Sequence, residues 1–92
     1  MKDGEVVGRN DVYAQTICAL EIIKEALASA GATMKDVVRT RMYVTDISQW
    51  ETIGKAHGVF FKDIKPAASM IEVKSLIDRD LLVEIEATAI LP

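Results

Sequence analysis

Val37-Val38-Arg39-Thr40-Arg41-Met42-Tyr43-Val44-Thr45 is where the hydrophobic period of this chain changes. Val38, Thr40, Met42 and Val44 alternate with Val37, Arg39, Arg41, Tyr43 and Thr45, a period of two rich in β-branched residues, which predicts a strand. One face is core-like and the other carries two arginines and a tyrosine. Upstream the period is helical. Val12, Gln15/Thr16, Ala19/Leu20, Ile23, Ala26/Leu27 and Ala30 recur three and four apart as one apolar stripe. Asn10 and Asp11 are N-cap residues before it, Glu21, Lys24 and Glu25 lie on its wet side, and Gly31 stops it at C′. Thr33-Met34-Lys35-Asp36 reads as one capped turn.

Downstream, Ser48-Gln49-Trp50-Glu51 has the form of a capping box. The helix after it places Trp50, Ile53, Ala56/His57 and Phe60/Phe61 on one face. Gly54 and Gly58 weaken that helix by about 1 kcal/mol each relative to alanine, so their spacing suggests close packing by a neighbour. Ala67–Val73 reads as a strand, Lys74–Asp80 as a turn and Leu81–Leu91 as a strand. In the last strand Leu81, Val83, Ile85, Ala87 and Ala89 alternate with Leu82, Glu84, Glu86, Thr88 and Ile90. Gly4–Gly8 is a short strand or only a lead-in. The order is (β)αβαββ, an α+β two-layer sandwich with a mixed sheet and two helices on one face. The open face carries Arg39, Arg41, Tyr43, Glu84 and Glu86.

The 92 residues fit a single domain, 1–92. Half are apolar and 27% charged, which is globular composition. A small domain hides only about 60% of its unfolded surface, so this apolar content points to subunit association. No apolar run reaches the ~18 residues of a membrane span, and no signal-peptide layout precedes Lys2 and Asp3. Lone Cys18 excludes an internal disulfide framework and fits a reducing, cytoplasmic compartment. Eleven basic residues against fourteen acidic ones give a net charge of −3, with no basic run. Nucleic acid therefore has little to grip.

One His and one Cys far apart cannot build a metal site, and there is no phosphate loop. Cys18, on the apolar side of the first helix, reads as a buried structural cysteine. His57 reads as a packing or surface histidine. Glu84 and Glu86 project from one strand face. A carboxylate there can act as general acid or base, or orient a water. Pairing with Arg39 and Arg41 across the sheet is the weightier reading of the spacing alone.

Pro66-Ala67-Ala68-Ser69-Met70-Ile71-Glu72-Val73, followed by Leu82-Val83-Glu84-Ile85-Glu86-Ala87-Thr88-Ala89-Ile90, resembles the C-terminal signature of the RidA/YjgF family. That signature runs P-A-R-S-x-x-x-V, a loop, then (V/I)-E-(I/V)-E-A-x-A. Asp11–Thr16 with Ala19, Leu20 and Ile23 is similar to the family's first helix. Ala30-Gly31-Ala32, Asp36-Val37-Val38 and Tyr43-Val44-Thr45-Asp46 are similar to its helix-to-strand passage, and Phe60-Phe61 closes the second helix as in the family.

The resemblance implies a chorismate-mutase-like fold, a homotrimer with a ligand cleft between subunits, and no cofactor. The implied activity is hydrolysis of reactive 2-enamines and 2-imines to 2-keto acids and ammonia. The partner is then a small 2-imino or 2-keto acid, with no nucleic acid or membrane involved. Carried over by residue, the water-directing glutamate falls on Glu84, and the substrate-binding segment on Ala68, Ser69 and Met70, with a backbone donor at Met70. Ala68 stands where the family has its carboxylate-clamping arginine. Arg39, Arg41 and Arg79 are the candidate replacements, and the first two share the face of Glu84. Gly54 replaces an asparagine common in the family's second helix. The family's leading β-hairpin, with its pocket tyrosine and Ser-Gly pair, has no counterpart in Met1–Glu5. A non-catalytic metabolite-binding or regulatory member is the alternative, and a ribonuclease or translation inhibitor a more distant one.

Overall fold

The computed structural model describes residues 6 and 8–91. Helix α1 runs Val12–Ser29, strand β1 Val37–Val44, helix α2 Trp50–Phe61, strand β2 Ala67–Glu72 and strand β3 Val83–Ala89. Single 3₁₀ turns at Met34–Asp36 and Ile47–Gln49 lead into β1 and α2. The sheet order is β2-β1-β3. β1 and β2 are parallel, joined through α2, and β1 and β3 are antiparallel. This is the α+β sandwich with a mixed sheet read from the sequence. The lead-in strand considered for Gly4–Gly8 falls largely outside the described residues.

Each boundary has a local cause. The Asp11 carboxylate accepts from the Ala14 amide at 3.0 Å, closing the start of α1. Gly31, at φ +81°, turns the chain left-handed just past the helix. At Thr33–Asp36 a capping box forms, with the Thr33 amide donating to Asp36 Oδ2 at 2.9 Å.

The box predicted at Ser48–Glu51 does not form. Asp46 reaches first, accepting from the Ser48 amide at 3.0 Å and the Ser48 hydroxyl at 2.6 Å. These bonds and one from Gln49 hold the Asp46 carboxyl below its ordinary pKa. The chain therefore enters α2 through a 3₁₀ turn, Gln49 caps without a side-chain bond, and Trp50 is left 57% exposed rather than in the core. Gly54 and Gly58 meet no neighbour: a Cβ built on either has nothing within 4 Å. Within one copy, the close approach expected there is absent among the described residues.

The core forms two groups between the helices and the sheet. Val12, Met42, Val44, Ile53 and Val83 make one, and Leu20, Met34, Val37 and Phe61 the other, with Ile85 packed against both. The strand phase differs from the sequence reading at one end. A β-bulge between Val37 and Arg39 adds Val38 to the strand, so Val37 is buried and Val38 exposed. From Arg39 onward the alternation holds, with Thr40, Met42 and Val44 buried. Buried side-chain polar atoms are all partnered among the described residues. The Thr16 hydroxyl donates to the Val12 carbonyl at 2.7 Å.

Candidate functional site

Two features of the sheet define the candidate site: its open face and its β2 edge, which no other strand covers among the described residues. On the open face, register places Ser69, Arg41 and Glu86 side by side across the three strands. The next row is Ile71, Tyr43 and Glu84. Arg39 pairs with Ala67 and Thr88 one step further along.

The ion pairing that spacing favoured does not occur. Among the described residues neither Arg39 nor Arg41 pairs with a carboxylate, and the ion pair present joins Arg9 to Asp80. Tyr43 engages one of the β3 carboxylates instead. Its hydroxyl donates to Glu86 Oε1 at 2.6 Å, a diagonal contact that occupies the second glutamate. Glu84 is exposed, and no hydrogen bond or ion pair engages its carboxylate among the described residues. Arg39, Arg41, Glu86, Ala87 and Thr88 line a polar depression of about 150 Å³.

The other half of the site read from the sequence lies elsewhere. Ala68 and Met70 stand beside Thr40 and Met42, so their side chains are on the helix-covered face, opposite Glu84. Met70 is half-buried against the first core group, and Ala68 is an exposed methyl with no charge to offer. Ser69 is on the open face, next to Arg41. The backbone follows the same alternation. The Val73 amide donates to the Val44 carbonyl at 2.8 Å, continuing the ladder just past β2. A two-residue period then turns the Ser69 and Ile71 peptide groups toward β1 and those of Ala68, Met70 and Glu72 toward the free edge. The Met70 N–H thus stands at an edge that is open among the described residues.

His57 takes a packing place, whereas Cys18 is less buried than its place on the apolar side of α1 predicted. His57 Nε2 and Thr40 Oγ1 share a hydrogen bond of 2.9 Å, and its ring lies 4.7 Å from that of Phe61. Burial holds the His57 pKa below its ordinary value. Cys18 is a free, half-buried thiol on α1. Among the described residues no cluster of His, Cys, Asp or Glu could hold a metal ion. Nor is any helix there long and apolar enough to cross a membrane.

Sequence reasoning passed over Gln15, which it counted only as part of the α1 stripe. Gln15 is 5% exposed. The amide nitrogen donates to the Asp80 carbonyl at 2.8 Å and the Gly8 carbonyl at 3.1 Å, and its oxygen accepts from the Leu82 amide at 2.7 Å. Gln15 therefore fixes the segment that delivers β3 and Glu84. A polar residue with high hydrogen-bonding capacity within an apolar stripe was the available signal.

Comparison with known proteins agrees with this architecture. The family model described as endoribonuclease L-PSP matches residues 1–91. RutC family protein PH0854 of Pyrococcus horikoshii is 36% identical over 88 residues, which is 96% of this chain and 68% of that protein. The 3-aminoacrylate deaminase RutC of Acinetobacter baylyi is 32% identical over 88 residues, 96% of this chain and 69% of its own length. Among solved structures, Rv2704 of Mycobacterium tuberculosis is described as a member of the highly conserved YjgF/YER057c/UK114 family. It superposes with a TM-score of 0.87 at 56% identity, covering 88% of this chain and 69% of that one. The chain thus spans about two thirds of the length of the curated relatives it matches.

Proposed function

The chain belongs to the RidA/YjgF family, and from that premise we propose that it hydrolyses reactive 2-enamines and 2-imines to 2-keto acids and ammonia. The reading includes a homotrimer, a cytoplasmic setting and no metal or organic cofactor. The observation that carries it is the state of the two glutamates on β3. Glu86 is engaged by Tyr43, whereas the Glu84 carboxylate projects unengaged from the open face.

In the proposed reaction the enamine first tautomerises to the imine. Glu84 accepts a proton from a water whose oxygen bonds to the imine carbon, while the C=N electron pair moves to nitrogen and nitrogen is protonated. The resulting carbinolamine carries one hydroxyl and one amine on that carbon. Loss of its hydroxyl proton re-forms a carbonyl as the C–N bond breaks, and the nitrogen leaves with its electron pair and a proton as ammonia. One water is consumed and nothing is oxidised or reduced.

The assembly part of the reading is supported by the position of the two halves of the site. Ala68 and Met70 lie on the opposite face from Glu84, so one copy cannot bring them together. A second copy that presents its β2 edge to the open face would place a Met70 N–H near Glu84. An exposed strand edge with free peptide groups is suited to such an approach.

The test is ammonia release from a freshly generated 2-imino acid, compared with the spontaneous rate. Acceleration that Glu84→Ala abolishes and Glu86→Ala largely keeps is the expected result. A wild-type rate equal to buffer overturns the deaminase reading. Ala68 favours a second reading, a binding member that holds a small metabolite without turnover, because an alanine cannot clamp a carboxylate. It predicts thermal stabilisation by 2-keto acids without ammonia release. Ribonuclease action is weaker on electrostatic grounds, given the net charge of −3 and no basic run.

A further inference from the structure

We infer that Arg41 is the residue that binds the substrate carboxylate in this chain, replacing the cation absent at Ala68, and that the depression beside it selects small 2-imino acids. The inference rests on the deaminase reading for its substrate, but the anion site itself does not depend on turnover.

Arg41 is half-buried on β1, between Ser69 and Glu86 in the sheet. Its cross-strand carboxylate is the natural partner, yet Glu86 Oε1 is taken by Tyr43 at 2.6 Å, and no ion pair engages Arg41 among the described residues. A half-buried guanidinium without a carboxylate partner favours an incoming anion, and its planar fork matches a carboxylate in bidentate geometry. Arg39 lines the same depression but is more exposed, which weakens any contact it makes with an anion.

Position relative to Glu84 is the second argument. Glu86 stands opposite Arg41 and Glu84 opposite Tyr43, so Glu84 is the diagonal neighbour of Arg41 on the same face. Such diagonals separate backbones by about 7–8 Å, within reach of long side chains. In a 2-imino acid the electrophilic carbon is bonded directly to the carboxylate carbon. A carboxylate held on Arg41 therefore sets that carbon on the same face as Glu84, one diagonal step away across the Tyr43–Glu86 hydrogen bond.

Volume and lining give the substrate class. About 150 Å³, walled by Arg39, Arg41, Glu86, Ala87 and Thr88, is roughly the space of five liquid-phase waters. That accommodates a short acid against a polar lining.

The test measures binding of 2-oxobutanoate and of 2-oxobutanamide by calorimetry, together with ammonia release from the corresponding imino acid. Wild type, Arg41→Ala, Arg41→Lys and Arg39→Ala are compared after their folding is checked by circular dichroism. Arg41→Ala is expected to weaken 2-oxobutanoate by about ten- to a hundredfold and raise KM in parallel, the loss typical of one charge-assisted contact. Arg41→Lys recovers part of this, Arg39→Ala shifts it less than about threefold, and the amide binds weakly to every variant. Equal 2-oxobutanoate binding by wild type and Arg41→Ala overturns the inference, as does no binding by wild type. Amide binding as tight as the acid overturns it too. Arg41-dependent binding without any ammonia release upholds the anion site and refutes the deaminase reading instead.

Discussion

Gln15→Leu is the substitution that most directly tests how α1 holds the candidate site. Leucine matches the volume but provides no hydrogen bonds. The Gly8 carbonyl keeps its bond from the Asp11 amide at 2.9 Å, so it is not orphaned. The Asp80 carbonyl and Leu82 amide lose the partners that Gln15 supplies at 2.8 and 2.7 Å. Each partly buried backbone group left unsatisfied costs about 1–1.5 kcal/mol, so the expected loss is about 2–3 kcal/mol. For a domain of this size that lowers Tm by about 8–24 °C. Gln15→Glu is expected to be at least as damaging, because it keeps an acceptor for Leu82 but turns a carboxylate on two carbonyl oxygens. The assay is urea and thermal unfolding at one fixed protein concentration, with amide hydrogen exchange read at Leu82. Exchange there should accelerate before global unfolding. A loss below about 1 kcal/mol for Gln15→Leu, or unchanged protection at Leu82, would show that the segment is held by packing alone and refute the reasoning.

The pH response is set in part by His57. Its folded pKa lies below the ordinary 6.5 through burial, so the unfolded chain binds more protons between the two values. Its contribution to stability is complete above pH 6.5 and falls as pH drops toward the folded value; His57→Gln should flatten that part of a Tm–pH profile. At Gly54 and Gly58, where a Cβ meets nothing within 4 Å, alanine should stabilise an isolated copy by about 0.5–1 kcal/mol each. If these substitutions instead weaken self-association in sedimentation experiments, α2 packs closely against another copy at that stripe.

Most of the architecture was legible because long, regular patterns dominate it. The α1 stripe, the period-two run of β1 and the E-I-E alternation of β3 each repeat often enough to fix element type and facing. What failed was local competition. Asp46 outbid Ser48 for the first amides before α2, since its carboxylate accepts from both the amide and the hydroxyl of Ser48. The Val38 bulge reversed the phase at Val37, and nothing in a Val-Val pair says which valine will be buried. Glu84 as a candidate rests on family resemblance. That Glu86 bonds Tyr43 rather than pairing with Arg41 was not legible, because strand spacing alone does not rank a diagonal hydrogen bond above an ion pair.

The same bulge has a consequence for how this chain tolerates change. It works as a slip joint between two parts of the sheet. Downstream, the parallel ladder to β2 and the antiparallel ladder to β3 lock Arg39 through Val44 into register. Upstream, Val37 pairs with Ala89 and the Ile90 amide donates to the Asp36 carbonyl at 2.9 Å, while the Val37 side chain seats between Leu20, Met34 and Phe61. A residue gained or lost in the turn before β1 can then be absorbed at Val38, while Arg41, Tyr43, Glu84 and Glu86 keep their mutual spacing.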